Sequence, residues 1–172
     1  MQAIIFIGLV SLLVLGQAAG TDWQPLAPKD GGFSILFPGI PTESKKAIKT
    51  ANGTTNVTLF ELKVPPGDGR FVVGYSQLPD SSILAGTEDK HLDNARDGAV
   101  ASSKGKLIRE KSLLLDTYPG RELYIEVEGK AIVLMRMYAV KHRLYQIVVV
   151  GSADLVTSQS AAKFLDSFKL VK

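Results

Sequence analysis

The sequence predicts an α+β domain arranged as an α/β/α sandwich, with a largely antiparallel sheet and helices on both faces. Three observations carry that expectation. Apolar strand-like stretches follow one another through the second half of the chain, joined by turns too short for parallel crossovers, so neighbours must run antiparallel. Two other stretches repeat apolar residues at helical spacing, one before these strands and one after them. Finally, the stretches Ala131 to Val140 and Arg143 to Val150 are apolar on nearly both sides, as central strands covered on each face would be.

The chain opens with a segment that does not belong to this fold. Met1 to Gly20 carries no charged side chain, and Ala3 to Leu15 is an apolar run the length of a signal-peptide core, followed by the small residues Ala18-Ala19-Gly20. A signal peptide over 1–20 is expected, with cleavage near Gly20 and a single mature domain over 21–172, periplasmic or extracellular. The leading residues lack Lys and Arg, so an uncleaved anchor is the alternative, although the run is short for a full span. A stable membrane span is not expected in the mature form.

Phe33, Ile35 and Phe37 alternate with smaller positions and give a first short strand, closed by a turn containing Pro38 and Pro41. Thr42 to Thr50 and Thr54 to Val64 read as a hairpin around Asn52-Gly53, a pair that favours the positive φ angles of a type I′ turn. The run Pro65-Pro66-Gly67-Asp68-Gly69 breaks the pattern before Phe71, Val73 and Tyr75 alternate as a fourth strand. Leu92, Ala95, Ala99 and Ser103 then form one narrow stripe of a helix from about Thr87 to Gly105, whose small residues imply close packing on a sheet. Four strands follow, Lys106 to Leu115, Gly120 to Glu128, Ala131 to Val140 and Arg143 to Val150. Gly120 to Glu128 places Leu123, Ile125 and Val127 on one side and Glu122, Tyr124, Glu126 and Glu128 on a solvated side. Ala161, Phe164, Leu165 and Phe168 mark a closing helix over about Leu155 to Phe168.

Composition limits the chemistry. With no cysteine there is no disulfide, thiolate zinc site, iron–sulfur cluster or cysteine nucleophile, and two histidines, His91 and His142, leave little for acid–base or metal work. A net charge of +3 falls far short of a nucleic-acid footprint. The apolar content of 45% is raised by the uncharged leader and still describes a folded chain.

The stretches Asp30-Gly31-Gly32-Phe33-Ser34-Ile35-Leu36-Phe37-Pro38, Arg143-Leu144-Tyr145-Gln146-Ile147-Val148-Val149-Val150 and Phe164-Leu165-Asp166-Ser167-Phe168 resemble the PsbP-like family. That family includes extrinsic lumenal subunits of photosystem II and small exported bacterial proteins of unknown role. The resemblance spans most of residues 23 to 170 and implies an antiparallel sheet between helices. Its matching residues are chiefly core positions, so it bears on fold far more than on function.

No nucleophile elbow, phosphate loop, zinc-protease pair or EF-hand loop is present, and no cofactor is expected. Asp89, Asp93 and Asp97 recur every four residues with Glu88 and His91 nearby, but they lie off the apolar stripe and read as a solvated helix face. The Lys141-His142-Arg143 turn reads as solvated, and the glycosylation-like triplets at Asn52 and Asn56 as a polar hairpin. Trp23 is expected to cap the edge of the core.

One constellation follows from register. A two-residue turn at Gly129-Lys130 would set Leu123 opposite Arg136 and Arg121 opposite Tyr138; a two-residue turn at Lys141-His142 would set Tyr138 opposite Tyr145. Arg121, Arg136, Tyr138 and Tyr145 would then gather at one end of one sheet face as a candidate ligand site for a carboxylate or phosphate, or as interface anchors. The competing reading is structural, with Arg stacked on Tyr and a carboxylate such as Asp166 or Glu88 neutralising it. The function expected is that of a non-enzymatic exported binding or assembly factor with an envelope or secreted protein partner; the alternative is a carrier of a small anion, and behind it an enzyme built on carboxylates and tyrosine.

Overall fold

A computed structural model describes residues 22–171 apart from 51–52, 66, 79–87 and 130. The expected signal segment, 1–20, lies outside the described residues. In chain order the elements are β1 (Gln24–Leu26), β2 (Phe33–Phe37), β3 (Thr42–Thr50), β4 (Gly53–Val64), β5 (Gly69–Gln77), α1 (Glu88–Ser103), β6 (Lys106–Leu115), β7 (Tyr118–Val127), β8 (Ala131–Val140), β9 (Arg143–Gly151), α2 (Ala153–Val156), α3 (Gln159–Asp166) and β10 (Lys169–Leu170).

Seven strands form one sheet in the order β3-β4-β5-β9-β8-β7-β6, and every neighbouring pair is antiparallel. The run β6 to β9 folds as successive hairpins because its connections are short, as expected from the sequence. The closing neighbour β5 then joins this run to the β3–β4 hairpin through β9. That hairpin pairs Thr50 with Gly53, so it closes over 51–52, which lie outside the described residues, and Gly53 already belongs to the strand rather than to the expected Asn52-Gly53 turn.

Alternation along β8 divides the interior in two. Met135, Met137 and Ala139 join Leu92, Ala95 and Ala99 of α1, while Ile132, Tyr138 and Val140 join Phe33, Phe37, Ala161, Phe164 and Leu165. The small side chains of α1 allow it to lie close against β7 and β8, as its stripe predicted. Its end is marked by Lys104 at φ 51° and by the Gly105 amide donating to the Val100 carbonyl.

The opposite face departs from a plain α/β/α description. Much of its cover is a second, three-stranded sheet, β1-β2-β10, whose central strand β2 buries Phe33, Ile35 and Phe37. The expected helix over 155–168 is two shorter ones. Ser152 caps α2 and Ser158 caps α3, each hydroxyl accepting a backbone amide three residues on, so the chain restarts rather than continuing. Phe168 keeps the apolar spacing but lies beyond α3, where it stacks on Phe33 at 5.4 Å and Tyr138 at 6.0 Å between ring centroids. Phe164 meets Phe37 and Phe71 edge to face at 4.9 and 5.1 Å, so three separate elements converge on one ring.

Gly120 lies opposite Tyr138 in the β7–β8 ladder, and a Cβ there would meet the Met137 carbonyl at 2.6 Å as well as the Tyr138 ring. Gly120→Ala is therefore expected to destabilise the fold by about 1–3 kcal/mol through overpacking against backbone. The urea midpoint of the variant measures this; an unchanged midpoint would overturn the pairing.

Candidate functional site

The position of the candidate residues depends on two hairpin turns. Val127 pairs with Ala131, so three positions separate the strands instead of the four that a Val127–Ile132 pairing would leave, with Gly129 at φ 89° and position 130 outside the described residues. This corrects the expected two-residue turn at Gly129-Lys130. Leu123 faces Met135 rather than Arg136, and Arg121 faces Met137 rather than Tyr138. The physical reason is burial: Leu123 and Ile125 are fully enclosed on the α1 side, and the expected register would have placed the Arg136 charge among them.

The second hairpin has the expected register. Tyr138 faces Tyr145 and Arg136 faces Ile147, with Lys141 at φ 52° in the tight turn. One slip of a single residue in the first hairpin nevertheless changes the site. Arg136, Tyr138 and Tyr145 remain on the face covered by β2 and α3, whereas Arg121 points to the face covered by α1. The four residues therefore do not converge.

Each polar group is engaged within the chain. The Arg136 Nε donates to Glu122 Oε2 at 2.8 Å, and its Nη1 donates to Asp166 Oδ1 at 2.7 Å. Burial alone would lower the Arg136 pKa, but its two carboxylate partners outweigh that and hold it raised. The buried Tyr145 hydroxyl donates to the Gly31 carbonyl at 2.8 Å, and Arg143 Nη1 donates to the same oxygen at 2.8 Å. Burial pushes the Tyr138 phenol above its usual range, an effect only partly offset by the Arg136 charge.

On the other face, Arg121 Nη1 donates to Asp93 Oδ1 and, at 2.7 Å, to Glu110 Oε1; Asp89 Oδ1 lies 3.7 Å from its Nη2. Arg96 bridges the same acids, at 3.1 Å to Asp93 and 3.4 Å to Glu110, and reaches Asp97 at 2.8 Å. Asp93 is thus a structural link between α1 and β7 as well as a partly solvated residue. Asp166 is the partner the sequence suggests for Arg136; Glu122, expected on a solvated side, is instead mostly buried against the Arg136 guanidinium. Arg143, expected in a solvated turn, is instead drawn to Gly31 and lies 5.4 Å above the Tyr75 ring centre. Trp23 packs at the core edge as expected, with the Lys163 ammonium 4.3 Å from its ring centre.

Shallow open clefts occur among the described residues. One, of about 470 Å³, is lined by Asp89, Ser112, Leu113, Leu114, Pro119, Gly120 and Arg121. The second, of about 430 Å³, lies along β3 between Ile40, Thr42, Ser44, Glu61, Leu62 and Lys63. Among the described residues no cluster of His, Asp and Glu has the arrangement of a metal site, every buried side-chain polar atom has a partner, and no helix is long and apolar enough to cross a membrane.

Arg136→Leu is expected to cost about 1–3 kcal/mol because it leaves the largely buried Glu122 carboxylate unpaired. Adding Glu122→Leu should recover at least half of that loss, and additive effects in a double-mutant cycle would contradict the structural role. Because folding raises the Tyr138 pKa, its contribution to stability is complete below the unfolded value of about 10 and falls as pH rises through the folded value. Melting temperature should therefore decline above about pH 10, less steeply in Tyr138→Phe.

The sequence matches no family model and no curated protein. Among solved structures, the solution structure of cyanobacterial PsbP (CyanoP) from Synechocystis sp. PCC 6803 superposes with a TM-score of 0.62 at 16% identity, covering 90% of this chain and 96% of that one. Protein PA94 of Pseudomonas aeruginosa, of unknown function, gives 0.42 at 11% identity over 69% of this chain and 90% of its own. The length of the first superposition, together with the β2–β9–α3 core built from the residues that carry the resemblance, gives this chain a PsbP-like fold.

Proposed function

We propose that this chain is an exported, non-enzymatic binding or assembly-accessory domain, with helices layered over both faces of its main sheet, acting on an envelope or secreted protein after loss of residues 1–20. The observation that supports this reading is the internal pairing of Arg121 and Arg136. Both guanidinium groups are occupied by carboxylates of the same chain, so an incoming anion would have to displace Asp93 and Glu110 from one, or Glu122 and Asp166 from the other. The same pairing removes these acids from the proton-transfer work an enzyme would ask of them. What is left to present is surface.

The carrier reading keeps one point in its favour, since Arg121 lines the cleft beside Leu113 and Leu114. Chemical cross-linking of the tagged protein in its native envelope, followed by mass spectrometry of the linked peptides, separates the two. One partner linked reproducibly to defined exposed positions is the expected result. A carrier would instead show no constant partner and a stability gain of about 2.7 kcal/mol with a small carboxylate or phosphate at 100 times its Kd.

A further inference from the structure

The main sheet has two outer strands, β3 and β6, and they are built differently. Along β6 the pairing with β7 slips between Leu107 and Arg109, a bulge at Ile108 that disturbs the edge and disfavours addition of another strand. Along β3 the register with β4 is unbroken from Thr42 to Thr50. Its outward backbone groups thus form a regular template.

The side chains on that template are selective. Lys45 and Lys46 are consecutive, so the pleat places one ammonium on each face of the strand. Lys45 is 73% exposed, and its contact with Glu43, 52% exposed, is a 3.7 Å surface pair of little strength. Just before the strand, Ile40 is 82% exposed and borders the cleft floored by Leu62 and flanked by Thr42 and Ser44. A second copy paired through β3 can set Glu43 opposite Lys45 but leaves Lys46 without a carboxylate, whereas a strand bearing carboxylates opposite both Lys45 and Lys46 gains a cross-strand pair on each face.

We infer that the free edge of β3 takes an extended acidic segment of a partner protein as an additional strand. The segment carries two adjacent acidic residues against Lys45 and Lys46, and about five residues away an apolar side chain that covers Ile40 and enters the cleft beside Leu62. The inference rests on the binding-domain reading and names the chemistry of its partner. The lysines then choose the partner's sign.

The test uses a short Thr/Val-rich peptide with an adjacent Glu pair and a Leu about five residues away, and a control with Lys in place of Glu. Binding is read by fluorescence anisotropy, and the docking position by hydrogen exchange of β3 amides. The Glu peptide should bind and protect β3, and the Lys peptide should bind at least tenfold more weakly. The Lys45→Glu/Lys46→Glu variant, whose exposed substitutions are checked for folding by circular dichroism, should invert that preference. Equal binding of both peptides, or protection on β6 instead, overturns the proposal. Protection of β3 that grows with protein concentration alone would assign the edge to a second copy, and loss of phosphatidylglycerol-vesicle binding in the variant without peptide binding would assign it to a lipid surface. A native partner cross-linked only through α1 would preserve the binding-domain reading while overturning this use of β3.

Discussion

Strand β8 sets Met135, Met137 and Ala139 against α1 and Ile132, Tyr138 and Val140 against the aromatic cluster, and both sets are buried. Because strand side chains alternate with a period of two, a shift of one residue would exchange the sets entirely. Arg136 makes that exchange costly. It lies on the aromatic side at a point where Glu122 and Asp166 can meet its guanidinium; on the α1 side it would stand among Leu123 and Ile125 without a partner. One correctly aligned strand therefore positions the α1 cluster, the aromatic cluster and both arginine networks. The neighbouring turns need only accommodate that alignment, which explains why Lys141 adopts a positive φ without being glycine.

The fold was more legible than the site for reasons that particular residues show. The α1 stripe of Leu92, Ala95 and Ala99 and the alternation of β2 were strong signals because burial repeats at every period. β1 and β10, of three and two residues, are too short to show any period and exist through their pairing with β2. Apolar spacing predicts one closing helix because Phe168 continues the spacing of α3 after the helix has ended, while Ser158, whose hydroxyl restarts the helix, has no apolar signature. The expected convergence of Arg121 with Arg136, Tyr138 and Tyr145 hinges on a single turn. A glycine followed by lysine favoured a two-residue loop, yet that choice set Leu123 opposite Arg136, and this conflict of core residue with charge was already visible in the sequence. The hydrophobic pattern, repeated along a whole strand, outweighs the preference of one dipeptide.

Two sets of charges in the chain have different physical roles. Arg96, Arg121 and Arg136 are spent on carboxylates that tie helices to the sheet, so they specify how layers meet. Planar guanidinium suits this work because one side chain can serve carboxylates from two elements at once. Both outer strands carry lysines, Lys45 and Lys46 on β3 and Lys106 and Lys111 on β6, where flexible, well-hydrated ammonium groups discourage strand-to-strand aggregation. A modest net charge of +3 thus conceals an uneven surface, nearly neutral where the layers join and cationic along the sheet edges.

The residues that carry the PsbP-like resemblance also explain why likeness in fold stops short of function. Phe33, Ile35, Phe37, Tyr145, Ile147, Val149, Phe164, Leu165 and Phe168 come from three distant stretches, and all belong to one buried cluster. Such positions answer to packing density and ring geometry, which a partner never touches. A superposition over 90% of the chain at 16% identity is a likeness of fold. Neither Lys45 nor Lys46 belongs to that cluster, and a different exposed residue at either position would leave the ring contacts of Phe164 and Phe168 as they are. Selection on partner chemistry can therefore proceed along β3 without disturbing the core that makes the fold recognisable.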